Sequence, residues 1–290
     1  MIDVTIFEQY RPVLRALAYR MLGDTARAED IVQEAWIRWQ NREVEVDNPR
    51  AYLLTIATRL CLNELDSAHA RREEPRMQLP EPIVVDEIGA AEGLEVIEHV
   101  SMAVLVALQR LTPAERAVLL LHEVFDLSHA EIAELLRKTE ASTRQLLRRA
   151  RIGISQARPV ELVSRDEHRR LLRAFTEAVR SGDVATLASL LADDATLITD
   201  GGPDGARVGR IRNLARPLVG AHKIAAFVTA VGAQSSDVDE REIVLNGQPA
   251  IVRFRAGRPF AALLLSIADG KIIQIFIQAD PARLGQVIAS

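Results

Sequence analysis

Two stretches of this chain concentrate side chains that could do chemistry. The first is residues 128–154, SHAEIAELLRKTEASTRQLLRRARIGI. Read as two helices joined by a short turn, it buries Ile132, Ala133, Leu135 and Leu136 on the first, and Thr143, Leu147, Ala150 and Ile154 on the second. That choice turns Ser142, Arg144, Gln145, Arg148 and Arg149 outward together. Arginine and glutamine on such a face can fork onto base edges in a DNA major groove, while further cations neutralise phosphates. The alternative is a basic, solvated helix of a bundle. Charge placement favours nucleic acid: residues 137–158 hold seven basic residues and one acid, whereas 81–98 hold six acids and no lysine or arginine. The net charge of −4 argues against non-specific coating of nucleic acid but not against a local cationic face.

The second stretch is EDIVQEAWIRW, residues 29–39. On a helix, Glu29, Asp30, Gln33 and Glu34 share one side, and Ile31, Ala35, Trp36 and Trp39 form an apolar stripe. Paired carboxylates can serve acid–base or metal chemistry, but no histidine, glycine-rich loop or second carboxylate cluster at ligand spacing accompanies them. A solvated face over a packed core and a protein-docking face are the two readings left. The single Cys61 lies in an apolar helical run and reads as a small buried hydrophobe. Without a Cys/His cluster, neither a metal site nor a cofactor is expected.

The elements that position these residues follow from caps and periodicity. Asp24 caps a helix through ARAEDIVQEAWIRWQ, and Asn48-Pro49 opens another through AYLLTIATRLCLNEL. Residues 73–93 carry three prolines and two glycines and read as a linker, extended around LPEP because a residue preceding proline avoids the α region. Thr112–Glu115 and Ser128–Glu131 are capping boxes, and Thr139 caps the next helix. From Ser164 a new domain begins. Leu171, Leu172, Phe175 and Val179 trace one helical face, and Ser181-Gly182-Asp183 ends that helix and caps VATLASLLA. Further on, a Gly/Asp-rich loop, DGGPDGARVG, precedes a helix near 221–231. Four strand-like runs, REIVLNG, PAIVRFRAG, PFAALLLSIADG and KIIQIFIQA, are joined at Asn246-Gly247, Gly257-Arg258 and Asp269-Gly270. Helices followed by antiparallel strands mean α+β. The N-terminus MIDVTIFEQYRP lacks a signal peptide's basic start, and no apolar run approaches the ~20 residues of a membrane span. A cytosolic chain with no membrane partner is expected.

EDIVQEAWIRW, then NPRAYLLTIATRLCLNEL, then TPAERAVLLLHEVFDLSHAEIAELL, in that order, resemble RNA polymerase sigma factors of the extracytoplasmic-function group over residues 1 to about 158. QLPEP, DGGPDG and ADPARLG resemble members of that group that end in a SnoaL-like domain of the NTF2 superfamily. The resemblance implies a multidomain fold: two all-α sigma domains, the second a helix-turn-helix, followed by a cone-shaped α+β domain. It implies region 2 at 1–75, a linker with a leading helix at 76–107, region 4 at 108–158 and the SnoaL-like domain at 159–290. By resemblance, Asp30, Gln33, Glu34 and Trp36 dock on the clamp helices of the polymerase β′ subunit. Tyr52, Arg59, Arg71 and Arg72 meet the −10 promoter element, and Ser142, Arg144, Gln145, Arg148 and Arg149 read the −35 element. Asn63 and Asp66 depart from the family's usual acid and base. Leu79, Pro80, Glu81 and Pro82 of the linker meet Asp200, Gly201, Gly202, Asp280 and Pro281, tuning promoter activity. An apolar pocket of the last domain is a candidate seat for a small-molecule ligand. That domain resembles isomerases and cyclases in fold, yet residues 159–290 hold no tyrosine or tryptophan, and no enzyme activity is expected. A stand-alone helix-turn-helix regulator with a ligand-binding C-terminal domain explains residues 108–290 but gives EDIVQEAW no purpose.

Overall fold

The computed structural model describes residues 4–43, 45–70, 78–84, 100–155, 163–202, 207–208, 211–212, 214–234, 238–285 and 287. It divides into two compact units, one of residues 1–74, 90–98 and 105–157, the other of 75–89, 99–104 and 158–290.

The first unit is helical. α1 (Val4–Leu22), α2 (Thr25–Gln40) and α3 (Pro49–Ala70) pack on one another. Asp24 accepts from the Arg27 N–H at the start of α2, and Asn48 accepts from the Ala51 N–H at the start of α3. Ile31, Val32, Ala35 and Trp39 turn inward from α2, against Leu14, Leu17, Leu53 and Leu54, all at most 8% exposed. α4 (Met102–Gln109) leads to α5 (Pro113–Glu123), α6 (His129–Leu136) and α7 (Glu140–Ser155). Reciprocal capping boxes at Thr112/Glu115 and Ser128/Glu131 begin α5 and α6, as their spacing predicts. Arg137 ends α6 in the left-handed region, at φ 52°. Its N–H and that of Lys138 close the helix onto Glu134 and Ala133 carbonyls.

The second unit wraps a sheet around helices α8 (Arg165–Ser181), α9 (Val184–Leu190) and α10 (Ala221–Gly232). The strands are β1 (Leu191–Asp200), β2 (Arg207–Val208), β3 (Ile211–Arg212), β4 (Leu218–Val219), β5 (Asp239–Leu245), β6 (Gln248–Arg255), β7 (Arg258–Ala268) and β8 (Lys271–Gln278). The large sheet runs β4-β1-β8-β7-β6-β5, and β2 pairs with β3 apart from it. β1 lies parallel to β8 and every other pairing is antiparallel. One sheet face packs Leu197, Ile251, Leu265 and Ile275 against Leu172, Phe175, Leu187, Ile224 and Val228 of the helices.

Two expectations need correction. The helix expected through VATLASLLA ends at Leu190, and Leu191–Asp200, most of which the local pattern assigns to no element, form strand β1. Exposed Asp193 and Asp194 and a register shift between Leu191 and Thr196 break its alternation. The middle hairpin turns at Ala256-Gly257, both at positive φ like Asn246-Gly247 and Asp269-Gly270, so Arg258 is the first residue of β7. Left-handed residues at both central positions match the twist of the flanking strands.

His168 on α8 is buried at 2% exposure, and its Nε2 has no partner among the described residues. Burial depresses its pKa from 6.5 to about 4, against a hydrogen bond with the Pro249 backbone. The folded imidazole therefore stays neutral where the unfolded one takes up a proton. Its stabilisation is complete above pH 6.5 and is lost as pH falls toward 4, by up to about 3 kcal/mol. Urea unfolding at pH 7 and pH 5 should show a loss of stability that His168→Leu reduces.

Candidate functional site

α7 lays out its side chains as an exposed and a buried face. Thr143, Leu146, Leu147 and Ala150 are buried, and Ile154 is half-buried. Leu146 is an addition to the expected buried set, and Leu136 of α6 is only half-buried. Arg144, Gln145, Arg148 and Arg149 are exposed and Ser142 is half-exposed on the outward face. Thr139 caps the helix by accepting from the Ser142 N–H. Arg144 pairs with Glu140 at 2.5 Å, Arg149 with Glu115 at 2.9 Å, and Arg151 with Glu123 at 2.6 Å. Arg148 has no ion pair among the described residues. The Arg144 and Arg151 pairs are solvent-exposed on both sides and weak, so an anionic ligand can replace them, whereas the Glu115 side chain is 14% exposed. Burial raises the Glu115 carboxyl, but hydrogen bonds from Thr112 and the Arg149 charge outweigh it and leave the pKa lowered. The two helices are pinned by His129, whose Nδ1 lies 3.2 Å from the Thr143 Oγ1, and its ring stacks on His122 at 4.8 Å. Burial, then the neighbouring His122 and Arg144, lower the His129 pKa.

A second cationic feature lies between α2 and α3. A cleft of about 400 Å³ is lined by Arg38, Asn41, Arg42, Tyr52, Thr55, Ile56 and Arg59. Tyr52 and Arg59 are two turns apart on α3 and therefore share a face. The Arg42 guanidinium stacks 3.6 Å over the Trp39 ring, and Trp39 in turn lies 6.0 Å from Tyr52. Cations around an aromatic wall suit an unstacked base and its phosphate. The expected Tyr52 and Arg59 meet here. Arg71 and Arg72 lie outside the described residues. Arg38, Asn41 and Arg42 were missed; the signal for Arg42 is its spacing of three from Trp39.

On α2, Asp30 and Gln33 are exposed and Glu34 and Trp36 are half-exposed. Glu34 pairs with Arg38 at 2.8 Å, and Trp36 rests on Phe7 with ring centroids 4.8 Å apart. Ile37, 49% exposed, adds an apolar patch beside them. Glu29 is drawn toward α1 by Arg11.

Residues 78–84 of the linker lie against the sheet of the second unit. Pro80 and Pro82 have no N–H to offer, and the N–H groups of Leu79 and Ile83 are met by side chains. Leu79 donates to Asp200 Oδ2 at 2.8 Å, and Ile83 donates to Asn246 Oδ1 at 3.3 Å. The Asn246 N–H returns a bond to the Ile83 carbonyl at 2.9 Å, and Val84 bridges to Leu245. The Leu79 carbonyl accepts from Gln278 Nε2 at 3.3 Å and Arg283 Nη1 at 3.0 Å. Asp200 also accepts from the Gly202 N–H, while Asp280 caps a short 3-10 turn, Pro281–Arg283. Gly202 sits at φ 72°, where a Cβ would come 2.7 Å from the Asp280 carboxyl carbon, so glycine is required. Leu79, Pro80, Glu81, Pro82, Asp200, Gly201 and Asp280 are all buried. Pro281, exposed, begins the 3-10 turn, and the hydrogen bonds described for residues 78–84 involve neither Gly201 nor Pro281. Gln278, Arg283 and Asn246 were missed. Arg283 lies within the ADPARLG motif, but Gln278 carries no local signal because its role depends on strand pairing.

Comparison with known proteins adds three family matches: Sigma-70 region 2 at residues 6–71, Sigma-70 region 4 at 101–152 and a SnoaL-like domain at 172–275. The chain is 33% identical to the ECF RNA polymerase sigma factor SigJ of Mycobacterium tuberculosis (strain H37Rv), covering 97% of this chain and 93% of that protein. It is 34% identical to a probable ECF RNA polymerase sigma factor, SigI, of the same species (strain CDC 1551), covering 95% and 92%. The crystal structure of the M. tuberculosis SigJ superposes with a TM-score of 0.75 at 28% identity, covering 98% of this chain and 99% of that one.

Asp200→Ala leaves the buried Leu79 N–H without its acceptor. It should cost about 2–3 kcal/mol and expose residues 78–84 to limited proteolysis, read by mass spectrometry of the fragments.

Proposed function

The chain belongs to the extracytoplasmic-function RNA polymerase sigma factors, with a SnoaL-like domain at its C-terminus, and from that premise we propose which of its surfaces meet polymerase, promoter and linker. As a sigma factor it binds core RNA polymerase and promoter DNA and directs promoter-specific initiation. Asp30, Gln33, Glu34 and Trp36 form the polymerase-docking face on the β′ clamp helices. Their support is a helix that buries Ile31, Val32, Ala35 and Trp39 while its acids, Trp36 and Ile37 stay reachable from solvent.

The single observation that carries the promoter assignment is the aromatic, cationic cleft holding Tyr52 and Arg59. It takes an unstacked base of the −10 element, with Arg38, Asn41 and Arg42 completing the wall. Arg71 and Arg72 follow α3 in sequence and belong to the same proposed contact. Ser142, Arg144, Gln145, Arg148 and Arg149 read the −35 element in the duplex major groove. The linker clasp at Asp200 sets how readily the factor engages its promoter, because linker and C-terminal domain share one hydrogen-bond network. Domain limits near 75, 107 and 158 complete this reading.

In vitro transcription with bacterial core polymerase and a promoter library tests it. Asp30→Ala with Glu34→Ala should weaken core binding about tenfold or more while leaving −35 duplex binding intact, as expected for a protein hot spot. Arg148→Ala should weaken −35 duplex binding by about 1–3 kcal/mol, seen by fluorescence anisotropy across a salt series. Unchanged transcription in both variants would overturn the assignments.

A further inference from the structure

The three hairpins of the large sheet turn on one backbone geometry, with both central residues at positive φ. Two of them fill it with residues that take it cheaply, Asn246-Gly247 and Asp269-Gly270. The third, between β6 and β7, breaks the local rules twice. Ala256 holds φ 50°, a conformation its Cβ disfavours. Beside it, Arg255 and Arg258 stand directly opposite each other across the two strands, where like charges repel. At the other two tips Leu245 faces Gln248 and Ala268 faces Lys271, so neither carries such a pair.

No carboxylate among the described residues offsets that repulsion. Neighbouring arginines are neutralised: Arg253 of β6 by Glu240 at 2.7 Å, and Arg241 of β5 by Asp239 at 2.7 Å. Arg255 and Arg258 form no ion pair among the described residues. The ribbon also runs past its neighbours, because β5 reaches only to Asp239, opposite Phe254, and β8 only to Gln278, opposite Ala262. Residues 255–258 are all exposed, and a Cβ added to Gly257 would meet no atom within 4 Å. A register shift at this end leaves Phe260 without a cross-strand partner, and the Arg255 guanidinium lies over its ring, 4.7 Å from the centroid. That stacking props the guanidinium on the ribbon and leaves its N–H edge open.

Local rules are broken without internal compensation where a site has something to bind. A tip that repels itself gains most from an anion settling on its two cations. Arginine forks onto phosphate oxygens, and a two-stranded ribbon is narrow enough for a DNA major groove. As a sigma factor the chain binds promoter DNA, so duplex phosphate is a polyanion it meets. We propose that the β6–β7 tip, through Arg255 and Arg258, is a further DNA contact seated on the phosphate backbone. The inference rests on the chain's binding to DNA and not on the residues assigned to the −10 and −35 elements. The tip contributes affinity and not sequence choice, since phosphate contacts carry no base information.

The test is the salt dependence of DNA binding by the full-length chain on core polymerase, read by fluorescence anisotropy over about 50–200 mM KCl. Each phosphate contact adds about 0.9 to the slope of log affinity against log salt. Arg255→Gln with Arg258→Gln should therefore make the slope shallower by about 2, equally on a promoter and on a duplex of unrelated sequence. The double variant should unfold no more easily than wild type, because it removes a repulsion. Arg216→Gln with Lys223→Gln removes the same charge from exposed positions beside β4, at the far edge of the sheet, and should leave the slope unchanged. An unchanged slope in the tip variant, or an equal loss in the control, would overturn the proposal. A tip variant that instead weakens capture of core polymerase without DNA would also sink it, and would assign the tip to an acidic protein surface. Promoter recognition that survives Arg148→Ala would count against the −35 assignment alone, since the unrelated duplex still reads the tip.

Discussion

Arg116 carries a permanent charge into a site only 6% exposed, and no carboxylate forms an ion pair with it among the described residues. Its guanidinium is satisfied by backbone carbonyls at the ends of α1 and α4. Burial lowers its pKa to about 10, which leaves it charged at neutral pH. A buried cation without its acceptors costs several kcal/mol, so the helix ends and α5 are held in register around it. The packing of α1 and α3 against α5 depends on that register, and the −10 cleft and the helix-turn-helix are both built outward from these helices.

The second unit solves the same problem with the opposite sign. A proline-flanked segment has few donors, and those it keeps must be met when it is buried. Asp200 meets the Leu79 N–H, and Asn246 meets Ile83 from a hairpin turn that its own positive φ makes possible. The residues that serve the linker thus come from a strand end, a turn and the C-terminal 3-10 segment. They are far apart in sequence, and the sheet order brings them together. A clasp built this way is cooperative: moving the linker leaves several buried groups unmatched at once.

Charge on the proposed DNA faces is kept available. Arg144 is paired with exposed Glu140 and Arg149 with half-buried Glu115, and Arg148 stands free of ion pairs among the described residues. Where α2 offers acids and Trp36 together, the buried stripe below fixes the helix while the outer side remains accessible. The molecule invests its strong, buried interactions in posture and its weak, exposed ones in recognition.

Local signals carried much of this in the sequence. Asp24, Thr112, Ser128 and Ser164 mark helix starts because a capping side chain acts within three residues of itself. Asn246-Gly247 and Asp269-Gly270 mark hairpins because only certain residues take positive φ cheaply. The outward set on α7 follows from helical periodicity alone. Strand β1 was not legible, since its pairing partner β8 lies some 80 positions away in sequence and Asp193 and Asp194 mask its alternation. Nor could Gln278, Arg38 or the partners of Arg116 be read in advance. Those are meetings of side chains with carbonyls and carboxylates supplied by other elements, and no spacing within one segment encodes them. The sequence determined which helices and turns form and which faces they present; the tertiary structure decided which of those faces are free and which are occupied, because a buried hydrogen bond is settled only by the partner that packing delivers.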